Sequence, residues 1–472
     1  MDWVSAVQQA QRGAPAALAT GDRTWSGDEL LAQANSAAAW LAGTGSPEGK
    51  PVPVLMRASP KTFALMLAGA ATRRPLAPLS PRWSVPELVH CVRRLGASGL
   101  ITDPDFEATA AAVARELSID VRIIGDLAGR ADPPLPTPRP EDAAVVLHTT
   151  GTAGHPRPVA FRHDRLARRC ELNASLLRLG PGAVFATVSP LHRLAGLGTI
   201  MVALAAGGTS VCMPPSGSLT ARDLDSLAVT HALLSPPLLS ALLRDGSVPL
   251  RSLEVVQYGT APVHAPALRA AMTQRPGIGF VRLYGQVEGS PISWLSPEDH
   301  RSAGTGRAER LRSVGRAVPG AEIRIGHPDQ SGLGEVTVQA GHLFAPSPDG
   351  WLRTGDLGRL DDDGYLHLAG RRGDTIAWGG RNLHPLEVES RLVEHPGINE
   401  AAVTRPHDRR RGEVIKAFVV LADPDHPPSR DELRATASAA FAGAEMPLQW
   451  EFVPSLPRSA DGQLLRDQLV ES

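Results

Sequence analysis

The strongest constraint on this chain is a rhythm: along its first half, amphipathic helical stretches alternate with short, wholly apolar runs. Ser26-Gly27-Asp28-Glu29 offers a cap-like start, and Leu30, Leu31, Ala34, Ala37, Ala38 and Leu41 follow as an apolar stripe of helical spacing. Residues 51–56 then read as a buried strand and residues 62–71 as the next helix. The alternation continues through a strand at 184–189, a helix around 198–206, and strands at 209–213 and 255–258. Helices interposed between buried strands predict parallel sheets with covering helices.

After about residue 320 the texture changes. Residues 322–325, 334–338 and 365–368 read as short alternating strands, the last following the turn Asp361-Asp362-Asp363-Gly364. That acidic turn lacks the remaining ligands and the terminal Glu of a calcium loop. Beyond Gly370 comes a small α+β unit, with helices at 387–393 and 431–439 and strands at 401–404 and 417–421. A chain of 472 residues exceeds what one core organises, since single cores stop growing at roughly 250–300 residues. The expected fold is therefore α/β: a large N-terminal domain of mixed and parallel sheets with covering helices and a β-barrel-like subdomain, then a small mobile α+β C-terminal domain. The expected divisions are 1–371, a hinge at 372–374 and a cap at 375–472, with Gly373 supplying backbone freedom at the hinge.

Charge excludes some partners. Lys and Arg total 48 against 49 Asp and Glu, a net charge of −1, so no global field recruits nucleic acid or an anionic membrane. Cys91, Cys170 and Cys212 stand far apart without zinc spacing and read as reduced thiols. The opening Met1-Asp2-Trp3-Val4-Ser5 has no basic or apolar leader character, and no stretch of about 18 apolar residues occurs. A soluble, cytoplasmic protein is expected.

The most informative segment runs from Val145 to Val159, where an apolar strand leads into His148-Thr149-Thr150-Gly151-Thr152-Ala153-Gly154-His155-Pro156-Arg157-Pro158. Such a loop offers backbone N–H groups, Thr hydroxyls and the Arg157 cation to phosphate oxygens. It is not a Walker loop, because the Gly-Lys-Ser/Thr ending is missing.

Taken with the segments that follow it, this loop resembles the phosphate loop of the adenylate-forming superfamily of acyl-CoA synthetases, adenylation domains and luciferases. Further resemblances follow in that family's order. Pro190-Leu191-His192, with Gly196, is similar to the segment that gates the acyl site. Tyr258-Gly259-Thr260-Ala261-Pro262 is similar to the stretch along adenine. Tyr284-Gly285-Gln286-Val287-Glu288 resembles the motif whose glutamate holds Mg²⁺, and Trp351-Leu352-Arg353-Thr354-Gly355-Asp356 the segment whose aspartate binds both ribose hydroxyls. Gly370-Arg371-Arg372-Gly373-Asp374 resembles the hinge, with Arg371 reaching the same ribose. The glycine loop opening at Gly379-Gly380-Arg381, His395-Pro396-Gly397-Ile398 and the segment from Pro457 to Arg466 complete the set. The resemblance implies ATP and AMP binding, Mg²⁺, a small carboxylic acid as substrate, and CoA, a carrier protein or an amine as acceptor.

Chemistry explains these residue types. A carboxylate must attack the α-phosphate of ATP, one anion approaching another, so metal and cations have to neutralise developing charge. Glu288 offers hard oxygen to the metal, and Asp356 can accept from two vicinal hydroxyls. A cation beside His192, Arg193, could face an anionic group of the substrate.

Three departures stand out. The phosphate loop ends Pro156-Arg157-Pro158 where proline-lysine-glycine is usual, so a backbone N–H is lost. Val287 replaces a threonine and its hydroxyl. Gln463 stands where the resembled enzymes carry the lysine that bridges the substrate carboxylate and the α-phosphate; losing one such contact lowers the rate on the order of 10²–10³-fold. Lys416, Arg458 and Arg466 are the cations that could replace it. Two reactions are therefore carried forward: ATP-dependent activation of an acid with transfer of the acyl group, and, alternatively, transfer or condensation from an acyl group activated elsewhere, or activation of an unusual acid.

Overall fold

The computed structural model describes the chain except residues 22, 126, 128–132, 150–155, 213–218, 236–237, 240–247, 260–264, 304–307, 379–380, 406, 409–411, 414, 439–447, 459–463 and 471–472. The expected rhythm builds two large sheets. In the first, strands Asp120–Ile123, Gly99–Thr102, Val52–Leu55, Leu76–Pro78 and Ala143–His148 run parallel, and Pro158–Arg162 closes the edge antiparallel to Ala143–His148. In the second, nine strands lie in the order Arg316–Ala317, Gly289–Leu295, Gly279–Gln286, Val255–Tyr258, His231–Leu234, Val184–Thr187, Thr209–Val211, Leu18–Ala19, Thr24–Trp25. Its middle is parallel and both edges are antiparallel.

Helices Gly27–Ala42, Pro60–Ala71, His163–Leu177 and Thr199–Ala205 share one core cluster with strands of both sheets. Local chemistry starts them where the sequence suggests. Ser26 Oγ accepts from Glu29 N at 3.1 Å while Glu29 returns a carboxylate oxygen to Ser26 N at 2.8 Å. Pro60 occupies a first-turn position behind a Ser59 cap, where its missing N–H does no harm. No helix among the described residues is long and apolar enough to cross a membrane. All three cysteines are buried and unbridged, and burial pushes each thiol up to about 12.

The alternating strands after residue 320 form a four-stranded antiparallel sheet, Ala321–Gly326, Gly334–Ala340, Leu352–Leu360 and Leu366–Arg371 in that order. In the acidic turn that precedes the last strand, Asp361 is already engaged, accepting from His367 Nε2 at 2.9 Å and Tyr365 N at 2.8 Å. A separate small α+β domain follows. Its strands Ile398–Thr404, Ile415–Leu421 and Leu448–Phe452 form one sheet, and with helices Pro385–Leu392 and Arg430–Ser438 they bury a core of their own around Val388, Leu392, Val403, Val419 and Leu433.

Candidate active site

Strand register and the packing of two sheets bring three of the singled-out segments to one place. Asp356, on Leu352–Leu360, is directly opposite Arg371 on Leu366–Arg371, and the Arg371 Nε lies 3.4 Å from Asp356 Oδ1. The Tyr284 hydroxyl donates to Asp356 Oδ2 at 2.6 Å, and Gln286 Nε2 donates to the same oxygen at 2.8 Å. Gln286 Nε2 also reaches the Thr354 carbonyl at 2.6 Å, and Thr354 Oγ1 accepts from the Asp356 N–H at 3.1 Å. Burial and the adjacent Asp356 charge push the Tyr284 phenol well above its usual range, so it stays a donor. Gln286 was not singled out from the sequence, because it fills the variable place of its motif and its partners lie 68 and 70 residues away.

A tight hairpin joins Gly279–Gln286 to Gly289–Leu295, with a register shift between Tyr284 and Gln286. Gly285 is needed there, since a Cβ would come within 2.7 Å of Ser290 Cα. Val287 is half-buried and packs against the main core. Glu288 is anchored by its backbone, whose carbonyl accepts from Phe344 N at 2.7 Å. Its half-buried carboxylate has no hydrogen bond or ion pair with the described residues and is available to an outside ligand. A hard cation such as Mg²⁺ asks a protein for one or two carboxylates and takes its other oxygens from phosphate and water, so this donor set fits.

His192 is buried in the turn before the π-helical stretch Leu194–Gly198. Gly196 lets that turn fold back: a Cβ would stand 2.1 Å from the Pro190 carbonyl oxygen. Trp83 lies 5.4 Å from the His192 ring and 6.1 Å, edge-on, from His148. Burial, with His192 and His90 nearby, lowers His148 to about 4, and neither of its ring nitrogens has a hydrogen-bond partner among the described residues.

Of the phosphate-loop residues, Thr149 is buried and its N–H donates to the Arg157 carbonyl at 2.8 Å, while the Arg157 side chain is exposed. Pro158 begins the edge strand opposite His148, a position where a missing N–H is tolerated. Gly259 is buried at the end of Val255–Tyr258, with the Leu283 carbonyl 3.2 Å from where its Cβ would be. Thr150, Gly151, Thr152, Gly154, Thr260, Ala261 and Gln463 lie outside the described residues.

The three cations that could replace a lysine at Gln463 are committed within the small domain. Arg466 forms a two-pronged pair with the buried Glu389, at 2.5 and 2.9 Å. Lys416 pairs with Glu451 at 2.5 Å, and Arg458 pairs with Glu400. Between the domains, Arg312 is held by Glu394, with Nη2 2.9 Å from Oε2.

A helix-covered pair of parallel-cored sheets, a Tyr–Gln–Asp–Arg cluster where the nine-stranded sheet meets the four-stranded one and a small appended α+β domain define an adenylate-forming type of enzyme. The chain belongs to the AMP-binding enzyme family: that family matches residues 5–348, and the AMP-binding enzyme C-terminal domain matches residues 387–463. It is 31% identical over 431 residues to a feruloyl-CoA synthase from an Amycolatopsis species, covering 86% of this chain and 84% of the relative. Amide bond synthetase McbA from Marinactinospora thermotolerans superposes with a TM-score of 0.88 at 29% identity, over 99% of this chain and 98% of that one. The o-succinylbenzoate CoA synthetase of Bacillus subtilis, solved with an acyl-adenylate intermediate, gives a TM-score of 0.84 at 25% identity, over 100% and 98%. Binding of ATP and AMP comes with membership of this family.

Proposed function

We propose that this enzyme activates a small carboxylic acid with ATP, forming an acyl-adenylate and pyrophosphate, and passes the acyl group to CoA, a carrier-protein thiol or an amine. The observation that carries the reading is the convergence of Tyr284, Gln286 and Arg371 on the Asp356 carboxylate. Tyr284 and Gln286 occupy Oδ2 and fix the carboxylate's plane. Oδ1, facing only the longer Arg371 contact, keeps lone pairs for the ribose hydroxyls. Glu288 would hold Mg²⁺, which when bound neutralises charge on the phosphate oxygens. Arg157, Thr149 and the loop that follows Thr149 would take the phosphates, Tyr258–Ala261 would lie along the adenine, and His192 would border the acid.

Gln463 sets the pace of the first step. A neutral amide can donate to the acid or to the α-phosphate but brings no charge, and Lys416, Arg458 and Arg466 are tied to carboxylates elsewhere. Slow adenylation is the expected result, not its absence. The acyl-adenylate seen in the o-succinylbenzoate CoA synthetase favours acid activation over transfer from an acyl group made elsewhere.

We further place the division between the domains at Arg372–Asp374, where a single 3₁₀ turn separates the last strand of the large domain from the small one. The cap would move about that turn between half-reactions. Buried thiols fit a reducing, cytoplasmic setting. ATP–pyrophosphate exchange with a panel of acids tests the function: acid-dependent exchange supports it, and nucleotide binding without exchange for any acid overturns it.

A further inference from the structure

Helix His163–Leu177 carries a cation into the interior. Arg169 is only 5% exposed. Its Nε donates to the Ser290 carbonyl at 3.0 Å and its Nη1 to the Gly198 carbonyl at 3.1 Å. Ser290 is two residues past Glu288, and Gly198 ends the π-helical stretch that follows His192. One guanidinium therefore joins the hairpin that offers the metal-side carboxylate to the turn that borders the acid.

No carboxylate among the described residues pairs with Arg169, and burial works against its charge. Burial, together with the nearby Arg169 charge, lowers the pKa of His342, which donates to the Pro291 carbonyl at 2.8 Å on the same hairpin. Nη2 has no acceptor among the described residues. Gly198 lies close against the guanidinium: a Cβ there would come 2.5 Å from Leu194 Cδ1, 3.1 Å from Nη2 and 3.3 Å from Nη1. Arg193, the cation expected from the sequence to meet an anion, is only half-buried, so the cation withdrawn from water is Arg169.

We propose that Arg169 determines substrate choice by pairing with a second anionic group, a carboxylate or sulfonate, at the far end of the acid. The proposal rests on the reading that the His192 turn and the Glu288 hairpin enclose the acid. A buried guanidinium gains most from an anion that leaves water with it, and a flat, forked donor suits a two-oxygen acceptor. A neutral acyl tail would leave the cation with carbonyl dipoles alone. Such dipoles can hold a half-buried arginine: Arg282 bonds the carbonyls of Leu311 and Ser313. A purely structural Arg169 would, when replaced, weaken all acids alike.

The test compares wild type, Arg169→Gln and Arg169→Lys with matched acids, hexanoate against adipate and 3-phenylpropionate against its 4-carboxy derivative. Acid binding to the AMP-loaded protein is read by calorimetry, alongside ATP–pyrophosphate exchange and AMP affinity. Wild type should favour the dianionic member about 10- to 100-fold, the scale of one charge-assisted hydrogen bond. Arg169→Gln should erase that preference with AMP affinity unchanged, and Arg169→Lys should keep part of it. Equal binding of both members by wild type, no binding of either, or an equal loss of both in Arg169→Gln overturns the proposal. Should Arg169→Gln not fold, the preference ratio in Arg169→Lys decides, and a ratio equal to wild type counts against the fork. Preference in calorimetry without exchange would sink the activity reading and leave Arg169 its role.

Discussion

At the scale of the residue, Asp356 concentrates the proposed nucleotide contacts. A ribose contact is made alike in ground and transition states, so Asp356→Ala should weaken AMP and ATP binding more than it slows any later step. The expected loss is about 10- to 100-fold in affinity, the scale of one or two charge-assisted hydrogen bonds. Unchanged affinity in calorimetry would remove Asp356 from the site. Gln286→Leu should weaken AMP in the same direction but less, since it removes only donors that hold Asp356 and the Thr354 carbonyl. Gln463→Lys tests the first half-reaction directly. A long ammonium side chain can meet both the incoming carboxylate and the α-phosphate, and one restored charge contact is worth about 1–3 kcal/mol in the barrier, roughly ten- to a hundredfold or somewhat more. Pro158 and Val287 keep the gain partial. A wild type that already exchanges fast, with no gain in the variant, would show that Gln463 does not limit adenylation.

Among the elements, the hairpin between Tyr284 and Ser290 is the one with least tolerance. Gly285→Ala would push a methyl into Ser290, and overpacking of that kind costs typically about 1–3 kcal/mol. A lower melting temperature is expected, together with weaker dependence of exchange on Mg²⁺, because Glu288 sits in the same turn. Unaltered melting and Mg²⁺ dependence would mean that the hairpin yields without moving Glu288. The connection at Arg372–Asp374 is the other element to probe. Limited proteolysis should cut there, and bound nucleotide should change the cutting; cuts confined to other places would count against a hinge at this turn.

Across the whole molecule, pH acts through buried histidines. His300 accepts from the buried Tyr258 hydroxyl at 2.7 Å and donates through Nδ1 to the Ser296 carbonyl at 2.7 Å, and burial lowers it to about 4, as it does His148. The unfolded chain binds protons on these groups near pH 6.5, well above the pH at which the folded protein does. Their contribution is therefore fully present above about pH 6.5 and is lost as pH falls toward 4, by on the order of 3 kcal/mol for each group at most. Melting temperature should drop steeply between about pH 6.5 and 4. A His300→Gln variant should show a shallower drop, and one as steep as wild type would take His300 out of the account.

Much of this protein is fixed by short-range information. Ser26 with Glu29, Pro60 behind Ser59 and the apolar runs at Val52–Leu55 and Val255–Tyr258 mark helix starts and buried strands, because caps and side-chain periods act within a few residues. The motif residues Tyr284, Glu288, Asp356 and Arg371 were legible for the same reason, each lying in a recognisable local pattern. What tertiary structure alone decided is who meets whom. Gln286 became a holder of Asp356 because its sheet packs against the four-stranded one, Arg169 was drawn between the Gly198 and Ser290 carbonyls by helix packing, and Lys416, Arg458 and Arg466 were claimed by Glu451, Glu400 and Glu389. No local pattern encodes those pairings, because they follow from segments tens to more than a hundred residues apart being buried against one another, where a charge or donor must take whatever partner the packing supplies.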